Sequence, residues 1–547
     1  MSPPMPSFDS PPERMASSLP RGRGFRLTRR RAWWLTVGLV LMNVAWRGVR
    51  YGMNPPLWGD EAMLALSFQA RNGWGEFLTP LIWSQLAPPG FLWLTDGMTR
   101  LLGLSEYVLR LWPMLAGMGA MLAFAGLAWR HLKRREAVLA VAVLAASYFP
   151  LRHSVEVKPY STDLLVAVGV LWVTLEIFGR VRSTSGLPRH HANQWGVLAL
   201  LALVAPWVSF TSIFVLGGCA VWLLVRALLR RDTMHVCLAI AVGLFAVMSF
   251  GVMAWAYGDV RAAEAGQYEA MAMWEEGFPP VREPWWIPWW LLDTHAGRML
   301  SYPAGGKQFA SAGTLLFCIL GGVKLYRGGR RPLLWLLLAP LGFGLLAAAM
   351  GFYPYGGTVR TMLYAGPTIC LLGGIGVAAA CGFLLNRRQD LGVLAFCGVM
   401  LLAIVGGTVG SVTSPYKTIE DRDTRNVFRQ LTTEASPEDV WVFARGRASA
   451  SGRDDEREVL SGISASASQF YATRDGPRDI RIAPAPGTLD HDRPILLLIH
   501  DKVPDLDDQP HEAVLRPYLE SLGEPDRVRR FPIGPDANLL FYSFSPR

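Results

Sequence analysis

The stretch "PPLWGDEAML" (residues 55–64) sets two carboxylates, Asp60 and Glu61, side by side among Trp58, Gly59, Ala62 and Leu64. Such flanks are unlike a solvated acidic surface. Three further stretches carry ionisable residues close to long apolar runs. They are Arg110 in "SEYVLRLWPMLAG", the group Arg152, Glu156, Lys158, Tyr160 and Asp163 in "RHSVEVKPYSTD" (152–163), and Arg360 in "YPYGGTVRTM" (353–362). An ionisable group at membrane depth is costly and generally faces a cavity and a partner. A carboxylate can take the proton of a hydroxyl, while guanidinium and ammonium groups hold a phosphate and stabilise charge as it leaves. Recessed at a membrane interface, such a set also limits competition from water. Blander roles exist for each. An acidic pair opening a short helix complements its dipole, Arg110 and Arg360 can snorkel to headgroups, and Glu156 can pair with Lys158 on the turn before Pro159.

The elements that must position these residues are membrane spans. Of 547 residues, 51% are hydrophobic and 18% charged, against about a quarter charged in soluble chains. Apolar runs long enough to approach or reach a bilayer crossing recur at 32–49, 106–129, 136–151, 163–179, 195–208, 210–229, 234–256, 308–325, 332–350, 361–384 and 391–412. They predict a polytopic α-helical membrane protein with about 11 transmembrane helices. With the N-terminus cytoplasmic, the inner segments "RGRGFRLTRRR", "RHLKRRE", "GRVRSTSGLPRHH", "RALLRRD", "KLYRGGRRP" and "NRRQD" all carry Lys or Arg, as the positive-inside rule requires. Counting 88–103 as a crossing would reverse every later loop. It is therefore expected to lie on the outer interface as a short helix starting at Pro88-Pro89.

This topology makes residues 1–31 a disordered basic cytoplasmic tail and 32–412 a transmembrane module. External loops follow at 50–105, 152–162, 257–307 and 351–360, with 413–547 also outside. All the singled-out ionisable residues then share the outer face. The net charge of +10 acts as an orientation device and not as a nucleic-acid footprint. The six Cys lie in or beside spans without metal-ligand or disulfide spacing. The last 135 residues alternate helical patterns at 422–433 and 511–522 with short apolar runs at 439–445, 494–500 and 538–544, predicting a small extracytoplasmic α/β domain. Residues 446–467 read as a mobile loop. The domain carries no catalytic motif and is expected to cover or guide substrate.

The order of these parts resembles the GT-C superfamily of polyprenyl-phosphate-sugar-dependent glycosyltransferases, in its protein O-mannosyltransferase-like and aminoarabinose-transferase-like branch. "LWGDEAML" is similar to the Asp-Glu motif of that family's first external loop. "QLAPPGFLWL" resembles its "HPPL"-type segment, with Ala87 where His is common. "SEYVLRLWPMLAG", "RHSVEVKPYSTDLL" (His153 replacing a Tyr) and "YPYGGTVRTMLYAGP" (Thr358-Val359 at a basic position) resemble its next three motifs. The resemblance implies a membrane glycosyltransferase of the plasma (inner) membrane. It would move a sugar from a polyprenyl-phosphate carrier to an extracytoplasmic acceptor (protein, lipid or glycan), with inversion. It makes Asp60 the base and Glu61 its neighbour. Arg110, Lys158 and Arg360 become donor-phosphate ligands, and Glu156, Tyr160 and Asp163 shape the sugar or brace the cations. In the oligosaccharyltransferase branch a divalent metal joins carboxylates of the first two outer loops. Here Asp163 alone is similar to that pattern, so no metal and no other cofactor is expected.

Trp58 flanks the acidic pair. The loop 257–307, the fourth outer loop when the short turn between spans 195–208 and 210–229 is counted, contains "WEEGFPPVREPWWIPWWLLDTHAG" (274–297), whose Trp density suits the headgroup region. His295, Arg298 and Lys307 there could add phosphate contacts. Two other readings stay open: a polymerase or ligase of lipid-linked glycans, and a lipid or sugar transporter (flippase). The transporter reading calls for related halves and midplane charges, whereas the charges here gather at the outer loops.

Overall fold

The computed structural model describes residues 26–82, 85–180, 189–258, 275–306, 308–417, 419–434, 436, 438–443, 470–471, 479–482, 489, 492–500, 511–532 and 538–546. The expected tail up to residue 25, the loop 446–467 and Lys307 lie outside them. The chain begins with α1 (Arg29–Met53), followed by two short helices, α2 (Gly59–Ala70) and α3 (Pro89–Leu102). Then come α4 (Glu106–His131), α5 (Arg134–Ala145), α6 (Tyr148–Arg152), α7 (Tyr160–Arg180), α8 (Arg189–Val208), α9 (Ser212–Leu229) and α10 (Thr233–Ala256). After the fourth outer loop, with its helix α11 (Ile287–Thr294), follow α12 (Ala312–Arg327), α13 (Arg331–Ala349), α14 (Gly366–Leu385) and α15 (Gln389–Thr413).

Each of the eleven expected spans falls on a helix of this series, and the protein is a multi-pass membrane protein. Among the described residues 7 helices qualify as crossings by length and apolarity, or up to 8 if α5 and α6 are one broken span. The remainder fall short for physical reasons. α12 has 16 residues, and the apolar part of α8 is confined to Ala192–Val208. α1 buries Asn43 and Arg47 in its middle. Those two polar groups serve the break between α5 and α6, where the chain bends by 59°. A broken helix leaves carbonyls without partners. Asn43 Nδ2 donates to the carbonyl of Ala145 at 2.8 Å, and Arg47 donates to that of Pro150 at 3.2 Å and to Asn43 Oδ1 at 2.9 Å. The bend turns the chain into the 152–158 loop. The segment from Pro88 does form a short helix, with Pro89 in its first turn and Leu94, Leu101 and Leu102 exposed.

Helix α14 carries the 351–365 loop and is held tightly from both sides by small residues, a common device in lipid where apolar area gives no drive. A Cβ at Gly376 would come within 1.8 Å of the Phe317 carbonyl oxygen on α12, and one at Gly374 within 2.4 Å of the Ala140 nitrogen on α5. So α5 and α14, which lead into two different outer loops, are locked together. Gly376→Val is expected to lower the thermal midpoint and to disturb activity, since overpacking costs about 1–3 kcal/mol. Gly373, where an added Cβ would meet nothing within 4 Å, should tolerate Ala; equal behaviour of the two variants would contradict the packing account.

Outside the membrane module, α16 (Ile419–Glu434) and α17 (His511–Leu522) flank a five-stranded sheet of order β2-β1-β3-β5-β4. Its strands are β1 (Val440–Phe443), β2 (Asp479–Ile482), β3 (Ile495–His500), β4 (Arg527–Pro532) and β5 (Asn538–Phe544). β1 is parallel to β2 and β3, while β5 is antiparallel to β3 and β4. One sheet face shares a core with α17 through Leu515, Tyr518 and Leu522. The other face, with Trp441, Leu496, Leu498 and Phe541, joins Phe428 and Leu431 of α16 in a core that also holds Leu57, Phe68, Phe77, Phe91 and Val157. The outer domain is thus packed directly on the loop that carries the acidic pair.

Candidate active site

Two loops meet at Asp60. It lies in the first turn of α2, where the helix dipole favours an anion. Lys158 Nζ donates to Asp60 Oδ1 at 2.8 Å, and Arg360 Nη1 donates to Asp60 Oδ2 at 3.0 Å. Lys158 also donates to Gln85 Oε1 at 2.7 Å. Burial by itself would raise the Asp60 carboxyl, but the adjacent charges of Lys158 and Arg360 and the Lys158 hydrogen bond together hold it below the usual carboxylate range.

The neighbouring carboxylate is engaged differently. Glu61 forms a two-pronged pair with Arg110, Nε to Oε1 at 2.9 Å and Nη2 to Oε2 at 2.7 Å. Arg110 also donates to the carbonyls of Pro55 and Pro56, and the Val157 amide donates to Glu61 Oε1 at 2.8 Å. Both side chains of the pair are 2% exposed, against 19% for Asp60. Asp60 is therefore reachable while Glu61 is not. Arg110, expected to meet phosphate, instead ties α4 to the first outer loop, and Glu61 ties that loop to the second.

The second loop is braced by Glu156, which accepts from Arg152 at 3.0 Å and lies 2.6 Å from His153 Nδ1. Burial pushes this carboxyl up, yet His153, Arg152 and Lys417 outweigh it and hold it low. Tyr160 stands edge-on to the His153 ring at 5.3 Å. Asp163, one turn into α7, accepts from Ser209 at 2.6 Å, so it fastens α7 to the turn before α9. Trp58 caps the start of α2 and carries the Lys417 ammonium on its ring.

His295 sits apart from Asp60 among the described contacts. Its Nδ1 lies 2.6 Å from the Leu291 carbonyl oxygen and its Nε2 lies 3.1 Å from the Tyr355 hydroxyl, and burial lowers its pKa. Tyr355 donates its amide to the Gly277 carbonyl at 2.7 Å, and Arg298 pairs with Glu276 while donating to the Gly357 carbonyl. The fourth outer loop thus buttresses the loop of Arg360. Among the described residues no group of three or more His, Cys, Asp and Glu is arranged to hold a metal ion.

Three contributors are not among the candidate residues read from the sequence. Gln85 precedes the Pro88-Pro89 helix start and orients Lys158. Arg50, at the outer end of α1, donates to the Pro415 carbonyl at 3.4 Å. Lys417 lies just beyond α15. A lone cation at the outward end of the last span, where positive charge is otherwise disfavoured, was the available signal.

The family model for dolichyl-phosphate-mannose-protein mannosyltransferase matches residues 87–255, which include Arg110, Glu156, Lys158, Tyr160 and Asp163. Two solved structures of ArnT from Cupriavidus metallidurans align with nearly the whole chain. The apo form is 14% identical with a TM-score of 0.52, covering 92% of this chain and 98% of that one. The form bound to undecaprenyl phosphate is 15% identical with a TM-score of 0.54 and the same coverage. The chain shares its fold with these two structures. No match to a curated protein emerged. In this chain one end of the helical bundle converges on the partly open carboxylate of Asp60. Among the described groups around it the cations Arg50, Arg110, Arg152, Lys158, Arg360 and Lys417 face the carboxyl groups of Asp60, Glu61, Glu106, Glu156 and Asp163.

Proposed function

We propose that the protein is a membrane glycosyltransferase that moves a sugar from a polyprenyl-phosphate carrier to an acceptor on the outer face of the plasma (inner) membrane. The observation that carries this reading is a partly accessible carboxylate, Asp60, clasped by Lys158 and Arg360 from two separate loops at 2.8 and 3.0 Å. The relative ArnT, solved with undecaprenyl phosphate bound, supports a donor of that class.

In this mechanism the donor phosphate competes with Asp60 for Lys158 and Arg360. Once those cations turn to phosphate, the Asp60 carboxylate is released and its basicity rises as the acceptor arrives. The acceptor oxygen attacks the anomeric carbon from the face opposite the phosphate. Its proton passes to Asp60 while the carbon–oxygen bond to phosphate breaks, giving inversion in one displacement. The leaving phosphate's charge falls on Lys158 and Arg360. Glu61, Arg110, Glu156 and Asp163 hold the loops, and Trp58 and Tyr160 border the space for sugar.

Reconstituting the full chain in lipid nanodiscs with labelled polyprenyl-phosphate monosaccharides tests this reading. Release or transfer of label from at least one of them is expected. Consumption of long lipid-linked chains only, or bound donor with no chemistry from any carrier, would reject it.

A further inference from the structure

The tether Ser414-Pro415-Tyr416-Lys417 joins α15 to the outer domain. It is fastened to the membrane module, since buried Pro415 offers its carbonyl to Arg50 at 3.4 Å. Lys417 then reaches over the Trp58 ring, two residues before Asp60.

Four other cations of the site are hydrogen-bonded to carboxylates, Lys158 and Arg360 to Asp60, Arg110 to Glu61 and Arg152 to Glu156, while Arg50 donates to the Pro415 carbonyl. Among the described residues Lys417 has no such bond. Its ammonium rests on an aromatic face, attracted at longer range by Glu156 and Asp60 and repelled by Arg360 and Arg152. A cation held by a ring keeps its three N–H donors for another acceptor. The same Trp58 has a buried indole N–H without a hydrogen-bond partner among the described residues. Ring-bound ammonium and unpartnered N–H are both donors, as an anion with several oxygens requires.

We propose that Lys417 is a substrate-contacting residue that binds the phosphate of the polyprenyl carrier from the outer side, resting on the function proposed above. The carrier phosphate bears one negative charge as a sugar diester and gains a second as the sugar leaves. An ammonium arriving from the tether therefore interacts more strongly with the departing phosphate than with the intact donor. The residue as a whole stays exposed, so the ammonium can leave the ring without unpacking the loop. Burial of its charged end lowers the Lys417 pKa to about 8.

Binding of undecaprenyl phosphate and of undecaprenol, the same tail without phosphate, to the full chain in nanodiscs separates the outcomes. K417Q is expected to lose about tenfold in affinity for the phosphate, the scale of one charge-assisted hydrogen bond, with undecaprenol binding unchanged. K417R should restore most of the loss. Wild-type affinity should fall as pH rises through about 8, where the free ammonium loses its proton, and K417R should not follow. Wild-type phosphate affinity in K417Q, beside a clear loss in K158Q, would overturn the role of Lys417 and leave the glycosyltransferase reading standing. Equal loss of undecaprenol in K417Q would make the residue structural. If the wild type itself failed to distinguish phosphate from alcohol, both readings would fall together.

Discussion

Asp60→Asn is expected to lower turnover by about 10²–10⁴-fold, the usual range for removing a general base, in a protein that still folds and inserts. The amide keeps an oxygen for Lys158 and Arg360, so loop geometry should survive. Donor affinity is the second readout. Asp60 holds both cations in the resting site, so in the proposed mechanism it competes with phosphate for them. Removing that competitor should leave polyprenyl-phosphate binding intact or stronger while chemistry fails. A base therefore predicts that kcat falls without a rise in KM. Wild-type turnover in this variant, or parallel loss of binding and turnover, would remove Asp60 from the chemistry.

Glu61→Gln should act on the fold. Its partner Arg110 is 2% exposed and has no water to turn to. Stripping one member of a buried pair leaves an uncompensated charge and costs about 3–5 kcal/mol. A pronounced drop in the thermal inactivation midpoint of the purified protein is expected. Joint replacement with Arg110→Met should recover part of that loss, because a well-packed apolar substitute is tolerated where an orphan charge is not. Stability indistinguishable from wild type in the single variant would show that Glu61 is not the strut described here.

The sequence made the helices visible because apolar run length is a local property. It also brought Asp60, Lys158 and Arg360 to one face, since ionisable residues beside spans are rare enough to stand out. It did not reveal partners. Glu61 and Arg110 are 49 positions apart, and Asp60 and Arg360 are 300 apart. No spacing rule distinguishes an Arg that meets substrate from one that clamps a loop. The bend between α5 and α6 was hidden because the carbonyls it frees are met by Asn43 and Arg47 from another helix. Strand β4, "RVRRFP", escaped for a different reason. It is an edge strand whose Arg-rich pattern guards against further pairing and so hides the usual apolar alternation.

The sheet face that shares its core with Leu57, Phe68, Phe77 and Phe91 bears on how such proteins can be recombined. The Tyr471 hydroxyl accepts from the Leu57 amide, and Arg425 reaches the Asn54 carbonyl and Glu106, so the seam is polar as well as oily. A cut at the end of the last membrane helix would not yield two separable halves. It would strand an apolar ledge in water next to Asp60. A chimaera carrying this outer domain would need residues 54–92 as part of the same cassette, and that segment with its roof is the heritable unit of the site.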